Sequence, residues 1–507
     1  MIELHPLLYE INTGCWLRDL SEKHKQTITL ANVPEVEVQE WLQLGFTHIW
    51  AMGVWTSGPR SRSAAISHPD QRRVYDEVLP GWTDADIRAS PYAISEYTVP
   101  PELGGEAGLK QFRQKLNHLG LKLLLDFVPN HLGLDHPWLD THPEYFVQSA
   151  VQVPEAFPWK TPDGTRWLAH GKDPWMPSWT DTVQIDYRVP AARTAMAAEL
   201  QSIAARCDGV RCDMAMLVLN DVFARTWQNF PGLLTASGSP TLTEEFWKTA
   251  IAAVKAAHPG FLFLAEVYWN LEERLQSLGF DFTYDKTLYD RVIAHDSVGV
   301  QKHLLGLPPA GVSRCAHFLE NHDERRIASI LSPDEQRAAT LLILGLPGMR
   351  FLHEGQLTGA KVRAPVQLLR RPKEPAHPEI AEIYGAILKV LPRTAVGRGR
   401  AELLVPRAAA PDNPTGQDFI LVQWQADSPG FDLVAVNLAP HRSQCLAPVR
   451  LPPNPSANWE ITNLLPSSTG SLRSSKVASQ NSPDLLSSGL YLDLPAFGAE
   501  LLHFEPL

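Results

Sequence analysis

Four short apolar runs in this chain stop at an acid. Leu124-Leu125-Asp126-Phe127 leads into Val128-Pro129-Asn130-His131, and Gly209-Val210-Arg211-Cys212 ends at Asp213. Phe263-Leu264-Ala265 ends at Glu266, and Phe318-Leu319-Glu320 continues to Asn321-His322-Asp323. Residues two apart in a strand share a face, so Arg211 and Asp213 point the same way. Any one of these acids alone reads as a solvated loop residue or a helix N-cap. Four of them, with Arg211, His131 and His322, read as a site. Glycosyl transfer with retention needs such a set: an ionised carboxylate to attack the anomeric carbon and a protonated carboxyl group to release the leaving oxygen. Arg211 beside Asp213 would hold that carboxylate ionised. Glu266, followed by Val267, Tyr268 and Trp269, lies in a more apolar stretch, where desolvation would raise its pKa as a general acid requires. Asp323 could stabilise positive charge developing on the sugar.

The elements around these residues give them a common location. Apolar runs that read as strands fall at Leu8–Trp16, Thr47–Met52, Leu121–Phe127, Gly209–Cys212, Phe261–Ala265, Phe280–Thr283, Cys315–Leu319 and Arg350–Leu352. Helical periodicity appears between them at Glu35–Leu44, Leu109–Leu119, Ala191–Arg206, Glu244–Ala257 and Pro333–Leu346. Strand and helix alternating in this way predict an α/β fold, a (β/α)8 TIM barrel, whose chemistry sits at the C-terminal ends of its strands. The stretch from Leu132 to Asp186, rich in Trp, Pro, His and Gly, is too long for a loop of the barrel and reads as an inserted domain after the third strand. From about residue 397 only β runs remain, as expected of a C-terminal antiparallel β-sandwich. The expected division is a catalytic barrel over 1–131 and 187–396, an inserted domain over 132–186 and a β domain over 397–507. Ser467–Gly489, rich in Ser, reads as a mobile loop.

The chain has 507 residues, a formal net charge of −11 and fifteen Trp. No basic field is available to attract nucleic acid or an anionic membrane, and a neutral polar substrate fits better. The five cysteines are scattered without a CxxC pair, which disfavours zinc and a disulfide framework. No signal-like segment opens the chain and no run of about 18 apolar residues suggests a span, so a cytoplasmic location is expected.

Taken in order, the acid-ended segments resemble the four short conserved regions of the α-amylase superfamily of retaining glycoside hydrolases and transglycosidases, whose patterns are DxxxNH, GxRxDxxxH, a strand ending in Glu, and xxNHD. Ser90-Pro91-Tyr92 with Tyr97 and Pro101-Glu102-Leu103-Gly104, and Gly345-Leu346-Pro347-Gly348 continuing to Gly355-Gln356, are similar to further family segments. The resemblance covers about residues 8–395 and implies Asp213 as nucleophile, Glu266 as acid/base and Asp323 as the stabilising carboxylate. It places Arg211, His131 and His322 around the sugar in the −1 subsite and Tyr92 beneath it. Trp269 either stacks on a +1 sugar or packs under the inserted domain. Asp126 becomes a structural hydrogen-bonding group, and Asn130 matches a position that ligates structural calcium in many members, although no cofactor is required.

Departures from the pattern bear on substrate. Endo-acting amylases of the family follow the nucleophile with a Lys-His pair, where this chain has Met216 and Leu217. The loss of those polar contacts implies short α-glucosides or maltooligosaccharides rather than long starch. Arg350, His353 and Glu354 near the eighth strand either pair with each other or bind substrate. The expected reaction is cleavage of α-glucosidic bonds of α-glucans or short maltooligosaccharides by double displacement. Its alternatives are an α-glucan transglycosidase, such as a maltosyltransferase or trehalose-forming enzyme, and a non-catalytic carbohydrate-binding descendant. A metal-dependent hydrolase would need more ligands than His131 and His322.

Overall fold

Eight parallel strands close into a barrel: β1 (Leu7–Asn12), β2 (His48–Met52), β3 (Lys122–Phe127), β4 (Gly209–Cys212), β5 (Leu262–Ala265), β6 (Phe282–Tyr284), β7 (Cys315–Phe318) and β8 (Met349–His353). The computed structural model describes residues 5–162, 164–230, 244–453, 457–465 and 475–507. Each strand pairs with its sequence neighbours, and β1 closes against β8 with Glu10 opposite His353. The strands read as unbroken apolar runs because both faces are covered. Inward side chains, among them Leu8, Trp50, Leu124, Leu264, Phe282 and Phe351, fill the barrel in layers. The outward ones pack under a ring of helices, which includes Glu35–Gln43, Gly105–His118, Pro190–Ala204, Phe246–Ala257 and Pro333–Gly345.

The first strand is shorter than its apolar run. It stops at Asn12, whose side chain accepts from the Cys15 N–H and caps a helix over Thr13–His24. Cys15, Trp16, Leu17 and Leu20 of that helix are buried, so its first turns continued the apolar signal of the strand. Between β2 and β3 stand two helices, Pro59–Ser67 and Pro69–Val78, which the sequence pattern does not predict. Their mean composition is polar, and only Ser61, Ala65 and Tyr75 are buried.

After β3 the chain leaves the barrel. His131–Gly133 pairs with Thr182–Gln184, and strands Gln148–Ser149, Ala156–Thr161 and Gly164–Ala169 form a small antiparallel sheet. Beyond the last barrel helix, a six-stranded and a three-stranded antiparallel sheet enclose a separate apolar core around Phe431, Trp459 and Phe504. This unit is fastened to the barrel where the Trp424 indole N–H donates to Gly345 O at 2.7 Å. Gly345 is required there, since a Cβ would lie 2.7 Å from the Val434 side chain.

The Ser-rich segment is not one loop. Residues 467–474 lie outside the described ones, but Ser475–Asn481 is a strand and Ser482–Ser487 a helix. The helix is capped by Asn481, which accepts from the Asp484 N–H, and Ser482 Oγ accepts from the buried Trp459 indole. Asn481 serves here as cap and Ser482 as hydrogen-bond acceptor, in a stretch whose composition alone reads as a mobile loop.

Candidate active site

Barrel register places the acids. Cys212 pairs with Ala265 and with Phe127, so Asp213 and Glu266 are the next residues on adjacent strands, whose backbones run ~4.8 Å apart. Arg211, fully buried, lies beneath both: Nη1 is 2.7 Å from Asp213 Oδ1 and Nη2 is 2.9 Å from Glu266 Oε2. Its guanidinium also faces the rings of Trp50, Tyr92 and Tyr284. The shared face of Arg211 and Asp213 is therefore realised, but the cation serves two carboxylates rather than one.

The electrostatic roles expected of the pair are redistributed accordingly. Glu266 is not in apolar surroundings: besides Arg211, the Met214 N–H donates to Oε2 at 2.7 Å and the Tyr268 hydroxyl to Oε1 at 2.7 Å. Met214 reaches this position in a left-handed conformation, φ 41°, directly after Asp213. For Asp213, burial together with the Glu266 carboxylate outweighs Arg211 and raises its pKa. Two buried carboxylates on one cation leave an excess negative charge, which a single proton between them neutralises.

The third acid stands on the β7 side. His322 Nε2 is 3.0 Å from Asp323 Oδ2 and 2.7 Å from the Tyr92 hydroxyl, and its Nδ1 contacts the buried Glu10 carboxylate at the end of β1. Burial opposes a charge on this imidazole, yet Asp323 and Glu10 raise its pKa well above the usual value. Burial opposes ionisation of Asp323 as well, but His322 and Arg211 bring its pKa below the ordinary carboxylate range. About half of the Asp323 side chain, 52%, is exposed to the cleft. Tyr92 stacks against His322 with centroids 5.3 Å apart. His131 lies across the mouth beside Trp179, and burial lowers its pKa to about 3, so it is a neutral ring.

Asp126 has the structural part expected of it, accepting from the Trp50 indole at 3.0 Å and the Gly53 N–H at 2.9 Å. Asn130 does not form a calcium site. Its amide is exchanged with that of Gln184, whose Nε2 donates to Asn130 Oδ1 at 3.0 Å and to Asn130 O at 2.8 Å. A hard cation takes six to eight oxygen ligands, carboxylates among them. The groups at Asn130 are an amide and an imidazole, and no cluster of three His, Cys, Asp or Glu suited to a metal exists among the described residues.

Residues 41–374 match the family model for the alpha amylase catalytic domain. The chain belongs to the alpha-amylase family. It is 25% identical over 281 residues to the alpha-amylase MalA of Haloarcula japonica, covering 54% of this chain and 37% of that protein. It is 26% identical over 208 residues to an alpha-1,4-glucan:maltose-1-phosphate maltosyltransferase of Pseudomonas aeruginosa, covering 40% of this chain and 26% of the other. The alignments thus span well under two thirds of these relatives' own lengths. Among solved structures, the noncanonic maltogenic alpha-amylase AmyB of Thermotoga neapolitana shares the fold at TM-score 0.66 and 17% identity, each chain covered over 100%.

Other residues of this alpha-amylase family chain stand differently from expectation. Met216 and Leu217 do not line the cleft but are buried in the short helical turn Ala215–Val218. His353 lies 3.3 Å from Glu320 and its Nδ1 accepts from Arg326 at 2.8 Å, and Glu354 pairs with Arg371 at 2.9 Å, so neither pairs with the other. Arg350 is at the opposite end of β8, donating to His5 O. Trp269 is 39% exposed. Trp269 and Asn270 follow Glu266 with φ of 65° and 59°, two successive left-handed residues that turn the chain sharply at the site. Glu10 and Tyr268 were not singled out from the sequence. Glu10 lies inside the apolar run of β1, with the buried Ile11 after it, and so lacks the strand-ending signal of the other acids.

No helix among the described residues is long and apolar enough to cross a membrane.

Proposed function

We propose that the chain cleaves α-glucosidic bonds with retention of configuration, in a barrel interrupted by a domain over 132–186 and followed by a β domain over 397–507. The observation that carries this reading is the single guanidinium of Arg211 holding Asp213 and Glu266 on adjacent strands. Retaining pairs stand ~5–5.5 Å apart, against ~6.5–9.5 Å for inverting pairs, and adjacent strands separated by ~4.8 Å suit the shorter class. Arg211 engages Asp213 Oδ1, which leaves Oδ2 to form the bond to the anomeric carbon. Glu266 carries the proton to the leaving oxygen, with Tyr268 fixing its Oε1. As the leaving group departs, ring charge grows facing the Asp323 carboxylate, and His322, Tyr92 and His131 bind the hydroxyls of the same sugar. In the second half Glu266, now a base, draws a proton from the acceptor and the glycosyl ester at Asp213 breaks.

The acceptor is water or a second sugar. The exposed Trp269 beside Glu266 offers a stacking face on the leaving side, which supports a sugar acceptor and hence transfer as the second reading. With no polar group at 216 or 217 facing that side, short maltooligosaccharides are the preferred substrates. Proton NMR of the first product tests the mechanism: the α anomer is expected, and initial release of the β anomer overturns it. Glu266→Gln should slow maltooligosaccharides by about 10²–10⁴ while sparing α-glucosyl fluoride, whose leaving group needs no proton. Equal losses on both substrates would remove Glu266 from the acid role.

A further inference from the structure

The strand opposite β5 in the barrel is β1, four places away in either direction. In the proposed reading Glu266, at the end of β5, marks the leaving-group side. The far end of the bound glycosyl unit, where its O4 lies, therefore points across the mouth toward the end of β1. In an enzyme that cuts inside a chain, that direction has to be an open groove, because further sugars leave through it.

Here it is crossed by a seam. The long connection after β2 and the segment after β8 meet over residues 12–15. Ile87 and Leu368 form a backbone bridge, Arg88 N–H donates to Gln367 O at 2.9 Å, and Leu369 N–H donates to Asp86 O at 2.8 Å. The Asp86 carboxylate takes both forks of Arg370 at 2.9 Å. Arg88 reaches beneath the seam to Gly53 O, Val366 O and Asn12 Oδ1. Its contact with the barrel is close, since a Cβ on Gly14 would lie 3.2 Å from Leu369 and 3.3 Å from Arg88. The Cys15 thiol donates to Leu368 O.

The rim continues from the seam to the inserted domain through the helix Pro59–Ser67. Ser61 Oγ donates to Asp181 O at 2.7 Å, and Asp135 accepts from the Arg60 N–H at 2.8 Å. Arg60 also lies over the Trp159 ring. The cavity that remains on this side, about 170 Å³, is bordered by Asn12, His322, Arg363 and Val366.

We infer that the glycone side of the site ends blind, so that the enzyme attacks α-glucans only from their non-reducing ends. The inference rests on the proposed reaction and adds the direction of attack. It is tested with two aryl maltoheptaosides, one with a free non-reducing end and one whose terminal O4 and O6 are bridged by an ethylidene group, together with a cyclic α-glucan. The free heptaoside should be cleaved at least about a hundredfold faster than the blocked one, and the ring should resist. Cleavage of the blocked chain at a rate similar to the free one, or opening of the ring, overturns the blind end while leaving the reaction intact. If none of the three is cleaved and α-glucosyl fluoride is also inert, the proposed reaction itself fails and the inference falls with it.

Discussion

Replacing Glu10 with glutamine keeps the shape of the contact with His322 Nδ1 and removes its charge. The groups facing His322 are Glu10 from β1, the Tyr92 hydroxyl from the connection after β2, the edge of the Trp50 ring and the neighbouring Asp323. His353 lies 3.9 Å from the other oxygen of Glu10. Burial works against the imidazolium, and Asp323 and Glu10 together sustain it. Two unit charges about 4 Å apart in an effective dielectric of about 20 interact by about 4 kcal/mol, equivalent to about three pH units. The His322 pKa is raised in the folded protein, so the imidazolium is present below that pKa and lost as pH rises through it. Glu10→Gln should therefore bring the loss of activity to lower pH, by up to about three units. The assay is the pH profile of kcat/KM with α-glucosyl fluoride, whose leaving group needs no proton from the enzyme. Coincident alkaline limbs for the two proteins, with only the plateau lowered, would refute a charge role for Glu10 and leave it a packing residue.

Asp213→Asn should lower turnover by about 10⁴ or more, because an amide forms no glycosyl ester; residual activity within about tenfold of wild type, by stopped assay on maltotriose, would transfer the nucleophile elsewhere. Arg211→Met leaves Asp213 and Glu266 buried without their cation and should cost about 3–5 kcal/mol in urea denaturation near neutral pH. That cost should shrink as pH falls and the carboxylates take up protons, and a pH-independent loss would indicate a packing effect instead. Gly345→Ala should destabilise by about 1–3 kcal/mol, read as an earlier urea midpoint, since its new methyl group collides with Val434 where the β unit meets the barrel.

The barrel was legible because parallel strands covered on both faces appear as short apolar runs, and the site because its acids mark where those runs stop. Arg211 contacts both Asp213 and Glu266, and the Tyr92 hydroxyl contacts His322. What the pattern missed has a physical cause in each case. The helix Thr13–His24 continued the apolarity of β1 without a break, and only the Asn12 cap separates them. The helices Pro59–Ser67 and Pro69–Val78 bury few apolar residues and so carry no periodic signal. The contact of Arg211 with Glu266 was missed because adjacency in sequence named only Asp213 as its partner. The second partner comes from the neighbouring strand, and register across a sheet is not written in either strand alone.

The contact between Glu10 and His322 joins residues 312 positions apart, and the Asn12 N–H reaches Glu354 across 342. The second is made along the line where β1 meets β8 and the first spans that line to the end of β7, so both wait on the last pairing that turns an open sheet into a ring. Contacts of such sequence separation pay the largest loop-closure entropy and follow local structure in time. Asp213, Arg211 and Glu266 can assemble earlier, since β4 and β5 are neighbours in both sequence and space. Catalytic competence should thus be acquired in two stages, a carboxylate pair first and its charged companion across the mouth only on ring closure. During refolding, helical signal and compaction should return before activity, and the lag between them times the closing of the barrel.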